Sequence, residues 1–165
     1  MRVKTLVATL LISCFSGALC NIVISQGVIA QTPEEIKAMS SVGVPIVLPT
    51  YLPSGFRRTY FATDLPLSKY SYNTTYQGSN NCKITIRGAL GSIYGYGPFV
   101  GRWIVNTSFF GKIFLDEWGS NQNSNYLFSI VSGNNRVYEF KFYCTNSVFS
   151  PQQASQILKS MQALQ

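Results

Sequence analysis

A chain of 165 residues with 13 lysines and arginines, 6 aspartates and glutamates and no histidine is restricted in both size and chemistry. The length fits one domain of ordinary size rather than two. The lack of histidine excludes Ser-His-Asp and Cys-His catalysis and ordinary zinc sites, and no sequence motif for a cofactor is present.

Residues 1–30 predict a signal peptide for export. Arg2 and Lys4 supply a positive start, and a long apolar stretch without further charge follows them. Small and branched residues lead up to Ala30, after which the chain becomes polar. Cleavage after Ala30 would leave one exported domain, residues 31–165, with a net charge of about +5. The expected location is the periplasm or the extracellular space.

Two other interpretations of this segment stay open. Residues 11–13 have the types that precede a lipidated cysteine, so Cys14 is a candidate site for a lipid anchor. The uncharged run from Thr5 to Pro33 is also long enough for an uncleaved membrane anchor, because about 20 apolar residues span a bilayer. Ser, Gly, Asn and Gln interrupt that run, which weakens the second interpretation.

A short N-terminal helix is predicted at the start of the exported domain. Thr32 fits a helix cap, Pro33 fits the first turn, and Glu35 can close a capping box. The helix is expected to end near Gly43, because prolines follow and cannot propagate it. These prolines are Pro45, Pro49 and Pro53.

Short runs rich in Tyr, Phe, Ile, Val and Thr then predict an antiparallel β-meander of six or seven strands. The predicted strands cover residues 57–63, 70–77, 82–89, 101–107, 111–118, 125–132 and 136–144. The longest predicted loop, residues 88–101, is rich in glycine and lacks the Gly-Lys-Ser/Thr ending of a phosphate-binding loop.

A C-terminal amphipathic helix ends the chain. Ser150 fits its cap, Pro151 its first turn, and Gln153 completes a capping box. Its predicted apolar stripe consists of Ala154, Ile157, Leu158, Met161 and Leu164. Such a stripe must pack on a sheet, so the predicted fold class is α+β, with both helices on one face of the antiparallel meander.

Two cysteines, Cys82 and Cys144, would remain after signal cleavage, in a compartment where disulfides persist. Strand alternation places Cys82 on the same face as Ile84, and Cys144 on the same face as Phe142. An even count favours one bridge, which would close a loop of roughly 60 residues. Two separate buried thiols are the alternative.

Aromatic side chains bordered by amides suggest a binding surface for sugars or peptides. The candidate ligand-binding residues are Tyr94, Tyr96, Trp103 and Trp118. The positive net charge favours an anionic envelope glycan, lipid head groups or another envelope protein as the partner. Export argues against nucleic acid.

A hydrolase acting on envelope polymers is the alternative function. It would use Asp64 with Asp116 or Glu117, because a glycosidase needs two carboxylates that converge on one bond. Asp116 and Glu117 are neighbours on a predicted strand, so their side chains point to opposite faces and cannot form a pair together. The favoured prediction is a non-enzymatic domain of the cell envelope with a binding or structural role.

Four stretches of the chain carry a resemblance to other sequences. They are VPIVLPTYLPSGF at 44–56, Tyr70 to Arg87 with YQGSNNCKI at 76–84, Tyr143-Cys144, and SPQQASQILKSMQAL at 150–164. In these stretches the chain resembles a group of small uncharacterised secreted proteins of cyanobacterial type. The resemblance implies a periplasmic or envelope setting and a Cys82–Cys144 pairing, and it carries no activity or catalytic residue.

Overall fold

A computed structural model describes the backbone of residues 42–65, 68–91, 99–121 and 124–164. The predicted signal peptide, its cleavage site, Cys14 and the predicted N-terminal helix lie outside these ranges. Across the described ranges, no helix is both long enough and apolar enough to cross a membrane.

A seven-stranded antiparallel sheet forms most of the domain, and one helix follows it. In chain order the elements are β1 (Val47–Pro49), β2 (Arg57–Leu65), β3 (Ser68–Gln77), β4 (Lys83–Leu90), β5 (Gly101–Thr107), β6 (Gly111–Asn121), β7 (Ser124–Gly133), β8 (Arg136–Tyr143), α1 (Pro151–Lys159) and β9 (Met161–Ala163). Strands β2 to β8 correspond to the seven predicted strands. The short strands β1 and β9 were not predicted, and they pair with each other in a separate two-stranded sheet.

The prediction of one continuous meander is wrong at a single connection. The strand order is β2-β3-β4-β8-β7-β6-β5, so β4 pairs with β8 and not with β5. The connection of residues 91–100 contains ten residues and can extend to about 33 Å. Four interstrand spacings, about 19 Å, separate β4 from β5, so this connection can cross the sheet. The sheet therefore consists of two meanders that are joined side by side.

The two faces of the sheet differ in composition because side chains alternate along each strand. On one face, Ile84 lies opposite Phe142 and Ile86 lies opposite Phe140 across the β4–β8 pair, and all four side chains are buried. We call this the helix face, since α1 and the β1–β9 sheet cover it. We call the other side of the sheet the reverse face.

The buried side chain of Asn125 holds Phe149, the residue before the cap of α1. The side chain of Asn125 donates to the carbonyl of Phe149 at 2.8 Å and accepts from its N–H at 2.5 Å. Ser150 then caps the helix by accepting from the N–H of Gln153. The start of α1 is thereby attached to β7.

The helix is shorter than its predicted apolar stripe. Its last turn ends at Ser160, whose hydroxyl donates to the carbonyl of Ile157 at 2.8 Å, and the chain then extends into β9. Met161 is buried as a strand residue, whereas Leu164 is 36% exposed. β9 has only three residues and pairs with the distant strand β1, so nothing in the local sequence marks it as a strand. The sequence therefore predicted that the apolar stripe of the helix continues through it.

A buried tyrosine connects the small sheet to the large one. The hydroxyl of Tyr72 in β3 accepts from the N–H of Val47 at 2.9 Å and donates to its carbonyl at 3.1 Å. Gly88 lies opposite Tyr72 and makes room for the ring, since a Cβ there would be 2.3 Å from the ring atom Cε1. Burial raises the pKa of Tyr72, so the hydroxyl stays neutral and serves as both donor and acceptor.

The two cysteines lie next to the paired ends of β4 and β8. Lys83 is opposite Tyr143, so Cys82 and Cys144 face each other one position further along, with Cα atoms 4.0 Å apart. Their Sγ atoms are at the disulfide distance of 1.99 Å. Cys144 is buried and Cys82 packs against the core, which confirms the predicted face and the predicted pairing.

Replacing Tyr72 with Phe should lower the free energy of unfolding by about 1–3 kcal/mol. The change leaves two buried backbone groups of Val47 without the hydroxyl that satisfies them. Urea unfolding followed by circular dichroism measures the effect. Tyr60→Phe is the matched control, because Tyr60 is 48% exposed on the same sheet. Equal losses in the two variants would contradict the assigned role.

Removing the Cys82–Cys144 bridge should cost on the order of 4 kcal/mol, because the bridge joins residues separated by 62 positions and restricts the unfolded chain. The double variant Cys82→Ala/Cys144→Ala, compared with the parent protein by thermal and urea unfolding, tests this. Reductant should destabilise the parent and leave the double variant unchanged. A parent protein that is insensitive to reductant would disprove the prediction.

Candidate functional site

The carboxylates proposed for a hydrolase do not come together. Asp116 lies on the reverse face of β6 and Glu117 on the helix face, as alternation predicted. Asp64 belongs to β2, five interstrand spacings away, which is about 24 Å along the sheet. The side chain of Asp64 is outside the described part of the structure. A carboxylate pair for glycoside hydrolysis needs a separation below about 10 Å.

Asp116 is engaged by an arginine from the neighbouring strand. The guanidinium of Arg102 donates to both carboxylate oxygens of the buried Asp116, at 2.5 and 3.1 Å. It also contacts the rings of Phe99 and Phe114, whose centroids are 5.0 and 4.8 Å away. The hydrogen bonds that Arg102 donates to Asp116 raise the pKa of Arg102. The arrangement is a structural ion pair between aromatic rings, and it leaves Asp116 poorly suited to act as a general base.

Glu139 in β8 is a further buried carboxylate. It lies 2.9 Å from the ammonium of Lys141, two positions along the same strand. Across the described ranges, no three His, Cys, Asp or Glu side chains are close enough to hold a metal ion. Glu117 lies on the helix face, whereas Asp116 and Glu139 lie on the reverse face.

Of the four aromatic residues predicted as a ligand platform, the two tryptophans lie on opposite faces of the sheet. Tyr94 and Tyr96 lie outside the described residues. Trp103 in β5 lies opposite Leu115 on the helix face, whereas Trp118 is 47% exposed on the reverse face. The two tryptophans are therefore separated by the thickness of the sheet and cannot bind one ligand together.

Trp103 borders a groove between the edge of the sheet and α1. The groove has a volume of about 290 Å³ and is open to solvent. Its other walls come from one side of the helix, and they are Pro151, Gln152, Ser155, Gln156 and Lys159. The groove combines one indole with two amides, a hydroxyl and an ammonium, so it presents both an apolar surface and hydrogen-bonding groups.

The helix residues of the groove were not predicted as functional. These residues lie on the side of the helix opposite its buried residues Ala154, Ile157 and Leu158, as the amphipathic pattern predicts. Their signal is a polar stripe, since Gln152, Gln156 and Lys159 recur at spacings of three and four residues. Most surface helices have such a polar stripe. The stripe of α1 lines a groove only because β5 lies beside it.

Gly101, two residues before Trp103 in β5, leaves room for the Trp103 ring. A Cβ at Gly101 would lie 2.9 Å from Cη2 of Trp103 and 3.2 Å from Oε2 of Glu117. The ring of Trp103 and the carboxylate of Glu117 therefore both lie close to Gly101. The position of the indole depends on the absence of a side chain there.

A scan of protein-family models and searches of curated proteins and of solved structures give no match to this chain. The resemblance to small secreted cyanobacterial proteins stays a prediction.

Changing Gly101 to Ala should displace the Trp103 ring, because the new methyl group would overlap Cη2. The displacement is measured as a shift in tryptophan emission in a Trp118→Phe background, where fluorescence reports on Trp103 alone. Gly133→Ala in the same background is the control, since a Cβ there meets no atom within 4 Å. Identical spectra for the two variants would show that Gly101 does not position the indole.

Proposed function

We propose that this chain is an exported, non-enzymatic domain of the cell envelope that binds an anionic glycan in the groove between Trp103 and α1. The observation that supports this most directly is the juxtaposition of an indole with the polar stripe of the helix. Trp103 belongs to the predicted platform, whereas the groove residues of α1 were not predicted to bind a ligand.

The groove has the chemistry that sugar recognition requires. An indole offers an apolar surface against which a sugar ring can lie, while its polar neighbours fix the orientation of the ligand. The amides of Gln152 and Gln156 can each donate and accept hydrogen bonds to hydroxyl groups. The ammonium of Lys159 supplies a positive charge for a carboxylate or sulfate group.

The size of the groove favours a segment of a polymer over an enclosed small molecule. At about 290 Å³ it is at the lower limit of ligand pockets, and it is open rather than enclosed. A glycan chain can lie across such a groove and leave its remaining length in solvent. The positive net charge of the chain attracts anionic polymers generally, and the groove would provide the local recognition.

Export is supported by the N-terminal segment and by the cysteine geometry. A positive start followed by an uncharged apolar stretch is typical of secretory signals. Cys82 and Cys144 lie at disulfide distance, and such bridges persist in oxidising compartments.

A non-enzymatic role agrees with the distribution of carboxylates. Glu117 is near the ring of Trp103, but Asp116 lies on the other face in an ion pair and Asp64 belongs to a distant strand. A glycosidase of the usual type would need a second carboxylate beside Glu117. The hydrolase alternative therefore has less support than binding.

Binding should be tested by fluorescence and calorimetric titration of the protein with oligogalacturonate and with a neutral galactose oligomer of the same length. Trp103→Ala should weaken oligogalacturonate binding about tenfold or more, which corresponds to about 1.4 kcal/mol. Lys159→Gln should reduce the preference for the anionic oligomer and the salt dependence of binding, because it removes the ammonium.

Trp118→Ala is the matched control, since it removes the same side chain from the opposite face. Equal weakening by Trp118→Ala and Trp103→Ala would contradict the proposed groove. New reducing ends released from the oligomer by the parent protein, and lost in Glu117→Gln, would favour the hydrolase instead.

A further inference from the structure

The two edges of the large sheet differ in regularity. At one edge, β2 pairs with β3 through two register shifts, after Arg58 and after Thr63. At the other edge, β5 pairs with β6 over all seven residues, from Gly101 to Thr107, without a shift. Within the described ranges, no strand pairs with the outer side of β5, and α1 lies beside β5 on the helix face. Bulges protect sheet edges against pairing with other chains, so β2 has a protection that β5 lacks.

Exposed apolar side chains accompany the regular edge. Ile104, at the centre of β5, is 58% exposed, and Phe114 lies directly opposite it in β6 and is also exposed. Both are on the reverse face. Single exposed apolar residues are common, but an exposed, regular and apolar edge strand is prone to pair with another chain.

We propose that two copies of this chain associate through antiparallel pairing of their β5 strands, with the two-fold axis at Ile104. This register is the one that uses all seven residues of both strands. Ile104 of one copy lies opposite Ile104 of the second copy, Arg102 opposite Asn106, Trp103 opposite Val105, and Gly101 opposite Thr107. The two seven-stranded sheets become one continuous sheet.

The side-chain pattern of β5 is self-complementary in this register. On the reverse face, Phe114 and Ile104 of one copy continue into Ile104 and Phe114 of the other, which gives one apolar row across the axis. Arg102 lies opposite the amide of Asn106 rather than opposite a second arginine. Its charge is already balanced by Asp116, so it enters the interface without leaving an unpaired charge.

Dimerisation would also bring the two grooves together, a consequence that rests on the proposed function. Trp103 is on the helix face and lies opposite Val105 of the second copy. The two Trp103 residues then become diagonal neighbours on adjacent strands, with Cα atoms about 7–8 Å apart. A polymeric ligand could contact both indoles at once, which raises its apparent affinity through bivalence.

The test is the molar mass of the full chain, purified from the cells that produce it and measured by light scattering over a range of concentrations. The parent protein should have the mass of two chains. Ile104→Lys should reduce it to one chain, because two ammonium groups would meet at the axis. Val148→Lys is the control, since Val148 is 53% exposed and distant in the chain from β5, and it should stay dimeric.

Cysteine cross-linking tests the register. Under mild oxidation Ile104→Cys should form a covalent dimer, because directly opposed residues have Cβ atoms about 5 Å apart. Asn106→Cys should not, since the two copies of residue 106 would be offset by four positions, about 13 Å along the strands. The parent protein under the same conditions shows the background from its own cysteines.

A protein that is monomeric at every concentration would overturn the proposal, even if its β5 edge accepted a strand from another protein. A dimer that survives Ile104→Lys, or that Asn106→Cys cross-links as well as Ile104→Cys, would also overturn it. These measurements need no glycan, so failure of the dimer and failure of glycan binding are separate outcomes.

Discussion

The pairing of β4 with β8 is the constraint on which the rest of the fold depends. It joins the β2–β4 meander to the β5–β8 meander, and it places buried Ile and Phe side chains opposite one another at the centre of the helix face. The Cys82–Cys144 contact lies at one end of this pair. Without the β4–β8 pair the two halves would not share one core on the helix face, and the β5–β8 half would have no fixed position relative to β2–β4.

The sequence predicted what is determined locally. Strand alternation identified all seven strands of the large sheet and the core-facing side of Cys82 and Cys144, because both follow from the period of the side chains. Pairings between distant segments were not predicted: β4 was expected beside β5, and β9 was read as the last turn of a helix. Met161 fits an apolar helix stripe as well as it fits β9, and only its partner strand β1 decides between them.

The candidate site was predicted in residue type but not in arrangement. Aromatic residues were expected to bind the ligand, yet Trp103 and Trp118 lie on opposite faces. Trp103 borders a groove because it is on the face where α1 lies beside β5. Nothing in a single sequence indicates that the polar side of a C-terminal helix will line a groove with an edge strand. The opposite orientation of Asp116 and Glu117 was predictable because it depends on alternation alone.

The strand order also determines when the chain can fold during its synthesis. Lys83 pairs with Tyr143, so the centre of the sheet cannot form until the chain has been made as far as β8. Contacts between such distant positions form slowly compared with local hairpins. A partly synthesised chain has β2 to β4 without the strand that completes their core. If the chain is exported as we propose, the slow formation of this long-range pair would favour an unfolded polypeptide before transport.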